Sequence, residues 1–503
     1  MPNFKPHKMD PEQLWLFPPS LDDLVPQDSE VRMLSDAVDA MDLRPLFARY
    51  SDTGRPAYDP ASLVKILLFA YARGVRSSRK IQEMVCSDVR FMWLARGDRP
   101  DFHTIARFRK EKWEPLQRVF VESVRLCARA GLVLLESLSI DGTKMKANAA
   151  KKSLVRAEEL RAIEEIFKEA EVVDAEEDER YGEATGRELP EDMKDPHERK
   201  RRLRKLLDEL EKDSPKQVSA TDPEARVMST QEGLELCFNT QAAVDSLDQV
   251  VAAFDVVAQA HDREQVLPLL DAVEANVGLK PDVVLADGGY SSEATLKGLA
   301  ERAQQALIVS VAPPAQWCGD PAFAAEKFRY DSETDTLMCP QGRELSFTGE
   351  YRFGSGTYRQ YCAKGCQSCP FYSRCVPSGK RSRTIQRSVI AKLREAMRGA
   401  LSTPEGQAIY AVRRETVEPV FGCLKQNFGF RRFLLRGVKG AKAEAALMFT
   451  AHNVLKWIKW AKNELICHLI ALLVPPPRPQ QSRPAPNRAC MRSKEQIGHA
   501  LRS

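Results

Sequence analysis

Three stretches of the chain carry carboxylates in settings where a carboxylate can do chemistry. Two of them are short apolar, partly β-branched runs that end in Asp followed by Gly, and their carboxylates are Asp141 and Asp287. We predict that each run is a buried strand with its aspartate at the carboxyl end, where catalytic groups collect in open α/β sheets. A carboxylate there is costly unless it is paired or holds a metal. Because Asp-Gly is also a common turn signal, either stretch alone is weak evidence.

The third stretch, residues 413–425, is a predicted helix. Its apolar stripe, at three- and four-residue spacing, consists of Val417, Val420, Leu424 and Phe428. Arg414, Glu418 and Lys425 lie four and seven residues apart, so one carboxylate lies between two cations on a neighbouring face. For a single helix, the usual interpretation would be a solvated face with an i,i+4 ion pair. The two strand-end aspartates elsewhere in the chain favour a composite site instead.

Two aspartates and a glutamate of this kind can hold two metal ions roughly 3.5–4 Å apart, which activate a water or hydroxyl and stabilise the leaving oxygen in phosphoryl transfer. Hard oxygen ligands suit Mg²⁺ or Mn²⁺. A cationic helix face beside them suits a polyanionic substrate. The predicted catalytic and metal-binding residues are therefore Asp141, Asp287 and Glu418.

These stretches resemble the Asp, Asp and Glu motifs of the DDE transposases encoded by bacterial insertion sequences. The third motif of that family has a Tyr, an Arg, a Glu after three intervening residues and a Lys after six more. Arg414, Glu418 and Lys425 match that spacing, whereas Tyr410 lies one residue further from Arg414 than usual. Glu415 competes for the catalytic assignment, and Glu418 is preferred because it has both cations at the right offsets.

The resemblance covers about residues 55–460 and implies an RNase H-like fold. It also implies DNA transposition and recombination, with double-stranded DNA (the terminal inverted repeats of the element and the target) as partner. A homodimer in a synaptic complex would first free the 3′ ends and then join them to target DNA. Gln241, Asp245 and Asp262 resemble secondary motif positions of the family, without a catalytic assignment.

Two other functions remain open. The first alternative is a metal-dependent nuclease of the same fold, which cleaves without joining, and the second is an inactive DNA-binding relic of a decayed element. The Glu-motif helix with Arg414 and Lys425, together with two insertions in the chain, favours the transposase over the nuclease. The presence of all three carboxylates argues against the relic.

Bulk charge gives little guidance about a nucleic-acid partner, because 75 basic and 70 acidic residues leave a net charge of +5. DNA contacts must come from local basic clusters. The residues predicted to contact DNA are Lys144, Lys146, Tyr410, Arg414, Lys425, Arg431, Arg432 and Arg436. No stretch approaches ~18 apolar residues, and the N-terminus lacks a signal-peptide core, so we predict no membrane span and a cytoplasmic, nucleoid-associated protein.

Several of the twelve cysteines fall within one short stretch, which favours metal binding over a disulfide framework. The Cys366-x-x-Cys369 spacing is typical of a thiolate pair. We predict a structural Zn²⁺ site formed by Cys339, Cys366, Cys369 and Cys375, with Cys362 as the rival for any one of them. The alternative is a set of reduced thiols in a loop-rich segment.

The predicted fold class is α/β: an RNase H-like mixed sheet with helices, preceded by an all-α domain and interrupted by two insertions. The predicted parts are an N-terminal arm (1–30), a helical DNA-binding domain (31–130), the catalytic core (131–152 and 217–312), a charged helical insertion (153–216), a Cys-rich insertion (313–385), the catalytic Glu helix with C-terminal core helices (386–470) and a disordered tail (474–503).

The DNA-binding assignment of residues 31–130 depends on charge. Short helices joined by tight turns, with a basic last helix, are typical of helix-turn-helix readers of DNA. The cations of that last helix are Arg107, Arg109, Lys110 and Lys112. The alternative is a helical packing or dimerisation domain.

Overall fold

The computed structural model describes residues 20–50, 56–156, 217–308, 320–353 and 356–473. Residues 1–19 of the predicted arm, residues 157–216 of the predicted charged insertion and the predicted tail lie outside the described residues. The helices before the first strand are α1 (Leu21–Leu24), α2 (Glu30–Asp39), α3 (Arg44–Phe47), α4 (Pro60–Ala72), α5 (Ser78–Ser87), α6 (Val89–Leu94), α7 (Phe102–Glu111) and α8 (Trp113–Arg129). The predicted all-α segment ahead of the sheet is confirmed.

Local sequence signals explain where the apolar helix α4 begins. The Asp59 side chain accepts hydrogen bonds from the amides of Ala61 and Ser62, and Pro60 occupies the first helical position, where no amide hydrogen is needed. The helix that follows is buried along almost its whole length. It therefore lies inside the protein instead of at its surface.

The central sheet contains both antiparallel and parallel strands. Its members are β1 (Ser137–Lys146), β4 (Arg226–Thr230), β5 (Gly233–Asp245), β6 (Val251–Val257), β7 (Val283–Ala286) and β8 (Gln305–Ile308). The order is β4-β5-β1-β7-β8, and β6 pairs with β5. β1 is antiparallel to β5 and parallel to β7, which is parallel to β8. Helices α9 (Val266–Val277) and α10 (Glu293–Glu301) connect the later strands. This is an RNase H-like sheet, and the predicted fold class is confirmed.

The position of Asp141 within β1 differs from the prediction. The parallel pairing of β1 with β7 ends at Ile140 opposite Ala286, one residue before each aspartate. β1 itself continues to Lys146, so Asp141 is not the last residue of its strand. The reason is that β5 is long enough to pair with β1 through Lys146, where β7 offers no partner.

The N-terminal helices share one apolar core with the catalytic sheet. Phe120 of α8 packs edge-to-face on Phe254 of β6, with ring centroids 4.7 Å apart. Phe254 in turn contacts Phe449 at 5.1 Å. Because such aromatic contacts dominate core packing, the helical segment is anchored to the sheet.

The Cys-rich segment forms a second, antiparallel sheet. Its strands are β9 (Arg329–Asp331), β10 (Thr336–Met338), β11 (Glu344–Phe353), β12 (Gly356–Ala363) and β13 (Thr384–Ser388), in the order β13-β12-β11-β10-β9. The short helix α11 (Tyr372–Cys375) lies between the last two strands. A separate two-stranded sheet, β2 (Leu154–Arg156) with β3 (Gln217–Ser219), flanks residues 157–216.

Three helices complete the described chain: α12 (Ala391–Ser402), α13 (Pro404–Gln426) and α14 (Gly437–Leu473). The predicted helix over residues 413–425 lies within α13 and is confirmed. The amides at the start of α14 are capped by carboxylates, since Gly437 donates to Asp222 and Val438 donates to Glu224. No helix among the described residues is long and apolar enough to span a membrane.

Candidate active site at the end of the parallel strands

Asp141 and Asp287 lie next to each other on the sheet. The register that pairs Ile140 with Ala286 puts the two aspartates at the next position, and the backbone of Asp287 stays extended (φ −80°, ψ 179°). Adjacent strands are about 4.8 Å apart, and residues in register point to the same face. The two carboxylates therefore share one face at the point where β7 ends.

Local hydrogen bonds fix both carboxylates. Asp141 Oδ1 accepts from its neighbour Gly142 N at 2.8 Å, and Asp287 Oδ1 accepts from Gly289 N at 2.8 Å. Burial raises the pKa of Asp141 above its ordinary value, the Gly142 amide and Arg413 oppose the rise, and the charge of Asp287 adds to it. A cation bound beside Asp141 would offset the cost of ionising this buried carboxyl group.

Arg413 brings the third carboxylate to this pair. Its Nη1 lies 3.2 Å from Asp141 Oδ2, and its Nη2 lies 3.8 Å from Glu418 Oε1. The Arg413 side chain is 11% exposed, whereas that of Glu418 is 55% exposed. Among the described carboxylates of α13, Glu418 is the one that pairs with Arg413, which favours it over Glu415.

The predicted site residue was Arg414, but the arginine that contacts the carboxylates is its neighbour Arg413. In the structure Arg414 is exposed, while Arg413 faces the carboxylates. Arg413 also lies 6.0 Å from the ring of Tyr410. The signal that would have found it was the tyrosine spacing, because Tyr410 has the offset usual in the family from Arg413 and not from Arg414.

Helix α13 crosses both strands of the site. Near its start, the Tyr410 hydroxyl donates to the carbonyl of Ala286 at 3.3 Å, beside Asp287. Near its end, Lys425 Nζ donates to Thr143 Oγ1 at 2.5 Å. Burial lowers the pKa of Lys425, and nearby Arg431 lowers it further. The predicted residues Tyr410 and Lys425 thus flank the carboxylates from opposite ends of the helix.

A polar cluster adjoins the aspartates on the β5 side. Asp262 Oδ1 accepts from Asn239 Nδ2 at 2.6 Å, Gln241 Nε2 at 2.6 Å and Lys144 Nζ at 3.1 Å. A Cβ on Gly142 would lie 2.3 Å from Gln241 Nε2, so any side chain at this position of β1 would displace the Gln241 amide from the cluster. Lys144, predicted to contact DNA, pairs with Asp262 in a partly buried contact.

The other predicted basic residues lie on the loop between α13 and α14 and on the strand it joins. This loop follows the end of β1, where Phe433 N donates to the carbonyl of Lys146 at 2.8 Å. Its exposed guanidinium groups belong to Arg431, Arg432 and Arg436. Lys146 Nζ is paired with Glu232 at 2.6 Å. The loop therefore presents positive charge next to the strand that carries Asp141.

The four cysteines predicted to bind zinc line one small cavity of the second sheet: Cys339, Cys366, Cys369 and Cys375. Cys339 Sγ accepts from Arg343 N at 3.2 Å and Cys366 Sγ from Arg383 N at 3.5 Å, bonds that stabilise a thiolate. The rival Cys362 lies on β12, where its sulfur accepts from Thr384. Among the described residues, no group of three or more His, Cys, Asp or Glu side chains has the spacing of a formed metal site.

Comparisons with known proteins find two segments that are similar to transposase domains. A family model described as "Transposase DDE domain" matches residues 338–458, and one described as "Transposase domain (DUF772)" matches residues 19–111. No curated protein matches the sequence. Among solved structures, a cryo-EM structure of the piggyBac transposase synaptic complex with hairpin DNA is similar over 94% of this chain and 78% of its own, at 10% identity and a TM-score of 0.31. A likeness that weak supports no inference about this chain. The chain is therefore similar to transposase domains over residues 19–111 and 338–458, and the mixed sheet described above is consistent with that similarity.

Proposed function

We propose that this protein catalyses metal-dependent cleavage and strand transfer of DNA at the ends of a bacterial insertion sequence. The observation that carries the proposal is the placement of Asp141 and Asp287 side by side, with Arg413 linking Asp141 to Glu418. A composite carboxylate site of this kind suits phosphoryl transfer between DNA strands.

The residues fit two Mg²⁺ or Mn²⁺ ions, because all three candidate ligands offer hard carboxylate oxygens. Bound there, the ions would activate the attacking hydroxyl and stabilise the leaving oxygen. Asp141 and Asp287 would form the fixed part of the site, since strand and turn hydrogen bonds hold them. Glu418, more exposed, would complete it from α13.

In the metal-free protein, Arg413 balances the charge of Asp141 and Glu418. Lys425 and the basic loop of Arg431, Arg432 and Arg436 lie where a phosphate backbone approaching the carboxylates would pass. Water would release the 3′ ends of the element, and the freed 3′ hydroxyls would attack target DNA in line. We infer that the active species is a homodimer holding two terminal inverted repeats, with residues 31–130 contributing to DNA binding.

The test uses duplex DNA taken from the flanks of the gene, labelled at the 3′ end and incubated with the protein and Mg²⁺. We expect nicks at the ends of inverted repeats and slower-migrating joined products, both lost when EDTA replaces Mg²⁺. Scrambled duplexes of equal length are the control. Nicking without joining would identify a nuclease, and end-specific binding without any chemistry would identify a DNA-binding relic.

We also infer that Cys339, Cys366, Cys369 and Cys375 hold one structural Zn²⁺. Four cysteines that line one cavity, two of whose sulfurs accept backbone amide hydrogen bonds, have the ligand chemistry of a Cys₄ zinc site. The site lies outside the carboxylate centre, so its role would be to stabilise the second sheet.

For this zinc site we expect about one Zn²⁺ per chain by elemental analysis, a stoichiometry that follows from one Cys₄ site. Cys369→Ser should lose most of it and lower the unfolding temperature of the protein. Cys362→Ser is the matched control and should keep its zinc, because its sulfur lies on β12 outside the cavity. Equal zinc loss in both variants would show that the ligand set is wrong.

A further inference from the structure

Helix α13 contains a proline directly after Glu418. Pro419 has no amide hydrogen, and its ring crowds the carbonyl four residues earlier, so the Glu415 carbonyl has no donor within the helix. Helices bend at such positions. The backbone geometry at this point of α13 sets the direction of the Glu418 side chain, because Glu418 directly precedes Pro419.

The side chain of Gln249 supplies the missing donor. Its Nε2 donates to the Glu415 carbonyl at 2.8 Å. Gln249 lies beyond the end of β5, in the connection to β6, and its backbone has a left-handed conformation (φ +58°). This connection therefore reaches from the sheet to the part of α13 that contains Pro419.

The orientation of the Gln249 amide is fixed by its other neighbours. Its Oε1 accepts from Lys456 Nζ at 2.9 Å, and because a lysine ammonium can only donate, the oxygen must face Lys456 and the nitrogen must face Glu415. The Gln249 backbone carbonyl lies 2.9 Å from His452 Nε2. Burial lowers the pKa of His452 to about 4, so the ring is neutral at neutral pH and donates through Nε2. Gln249 is thus held by α14 while it holds α13.

We propose that Gln249 is a positioning residue, which replaces the amide hydrogen that Pro419 lacks and so fixes the course of α13 at Glu418, the carboxylate that Arg413 links to Asp141. Gln249 touches no reacting atom, and its effect passes entirely through the Glu415 carbonyl. The inference rests on the proposed function, because that function gives Glu418 its catalytic role.

The test is a double-mutant cycle of wild type, Gln249→Ala, Pro419→Ala and the double variant. Pro419→Ala restores an amide hydrogen to the Glu415 carbonyl and makes the glutamine unnecessary. We expect Gln249→Ala to lower kcat for Mg²⁺-dependent cleavage of the flanking DNA about tenfold, with little change in KM, because misplaced catalytic groups lose rate and not binding. In the Pro419→Ala background, the same substitution should cost less than about twofold.

Two further variants sharpen the cycle. Gln249→Glu keeps the size of the side chain but sets an acceptor against the Glu415 carbonyl, so its kcat should fall at least as far as that of Gln249→Ala. Gln304 makes the same kind of contact elsewhere, donating from Nε2 to the Pro281 carbonyl at 2.8 Å. Gln304→Ala should leave kcat within about twofold of wild type, since surface contacts away from the site have small effects.

Equal losses of kcat from Gln249→Ala in both backgrounds would overturn the inference, as would a rise in KM at unchanged kcat. Wild-type protein without metal-dependent cleavage would overturn the proposed function and, with it, the positioning role. Thermal unfolding of the same four proteins needs no activity and tells the two failures apart. A non-additive cycle in unfolding temperature would show that the contact forms even where the chemistry fails.

Discussion

Asp141→Asn and Asp287→Asn are each expected to lower kcat for DNA cleavage by about 10³-fold. Losing a carboxylate ligand removes several kcal/mol of stabilisation that a bound cation gives the transition state, and each 1.36 kcal/mol corresponds to a factor of ten in rate. Single-turnover cleavage of the flanking duplex, at saturating protein, measures this loss without interference from product release. Binding of the same duplex should change little, because the basic loop is untouched.

The matched control is Asp271→Asn. Asp271 lies on α9, is 62% exposed and pairs with Arg302 at 2.7 Å. Its replacement should leave kcat within about twofold of wild type, as expected of a surface position. A similar loss in this variant would mean that cleavage depends on general stability and not on the carboxylate site.

The same aspartate variants separate catalysis from folding. Burial raises the pKa of Asp141, which means that ionising this group at neutral pH costs folding free energy in the metal-free protein. Asp141→Asn should therefore unfold at a temperature close to that of wild type when no metal is present, despite the lost contact with Arg413. An inactive variant that is also largely unfolded would contradict the catalytic assignment.

Arg109→Met is expected to lower the free energy of unfolding by about 3–5 kcal/mol, the cost of leaving one member of a buried ion pair alone. Arg109 Nη1 lies 3.8 Å from Glu444 Oε1, and the two side chains are 4% and 0% exposed. Arg109 also donates to the Tyr71 hydroxyl and the Arg76 carbonyl. Urea unfolding, followed by fluorescence, measures the change.

Two variants and a pH series test the cause of that loss. Arg107, exposed on the same helix, is the control, and Arg107→Met should change the free energy of unfolding by less than about 0.5 kcal/mol.

Burial raises the pKa of Glu444 while Arg109 lowers it, so in Arg109→Met the Glu444 pKa rises further. A raised carboxyl pKa favours the folded state as pH falls, so the loss in the free energy of unfolding caused by Arg109→Met should shrink below neutral pH. Adding Glu444→Gln to Arg109→Met should recover part of the lost free energy of unfolding. If neither low pH nor Glu444→Gln recovers any of it, the buried ion pair is not the cause of the loss.

This ion pair also supports the proposed DNA surface. Glu444 Oε2 accepts from the amides of Leu434 and Leu435 at 2.5 and 3.2 Å, inside the basic loop. On the other side, Arg76 donates to the Arg432 carbonyl at 2.5 Å. Arg109→Met should therefore weaken DNA binding as well, by loosening the loop that carries Arg431, Arg432 and Arg436.

The sequence predicted the secondary structure around the candidate site well where local signals decide structure. The strand before Asp287 and the helix around Glu418 follow from apolar runs and helical spacing, both of which are short-range patterns. The prediction that Asp141 is the last residue of its strand was wrong, because the end of β1 depends on the length of β5, a partner almost one hundred residues later. The sequence of one strand does not determine which residues of a distant strand it pairs with.

Charge alone proved a poor guide to surface contacts. Arg109 belongs to the helix predicted to face DNA, yet it is buried against Glu444, whose position is 335 residues away in the chain. Lys144 pairs with Asp262 in a contact that is only partly buried. A buried ion pair between distant segments leaves no local signal, since each member looks like an ordinary surface charge. The spacing to Glu418 favours Arg414 and the spacing to Tyr410 favours Arg413, and in the structure Arg413 is the arginine that contacts Asp141.

The most direct test of the central claim, that Asp141, Asp287 and Glu418 form one cation site, is metal-directed cleavage of the protein backbone. Fe²⁺ replaces Mg²⁺, and ascorbate with peroxide generates radicals that cut the chain close to the bound ion. We predict cuts beside residues 141, 287 and 418 together, suppressed by excess Mg²⁺ and absent in Asp141→Asn. Cuts confined to another part of the chain, or cuts at these positions that persist in Asp141→Asn, would contradict the account.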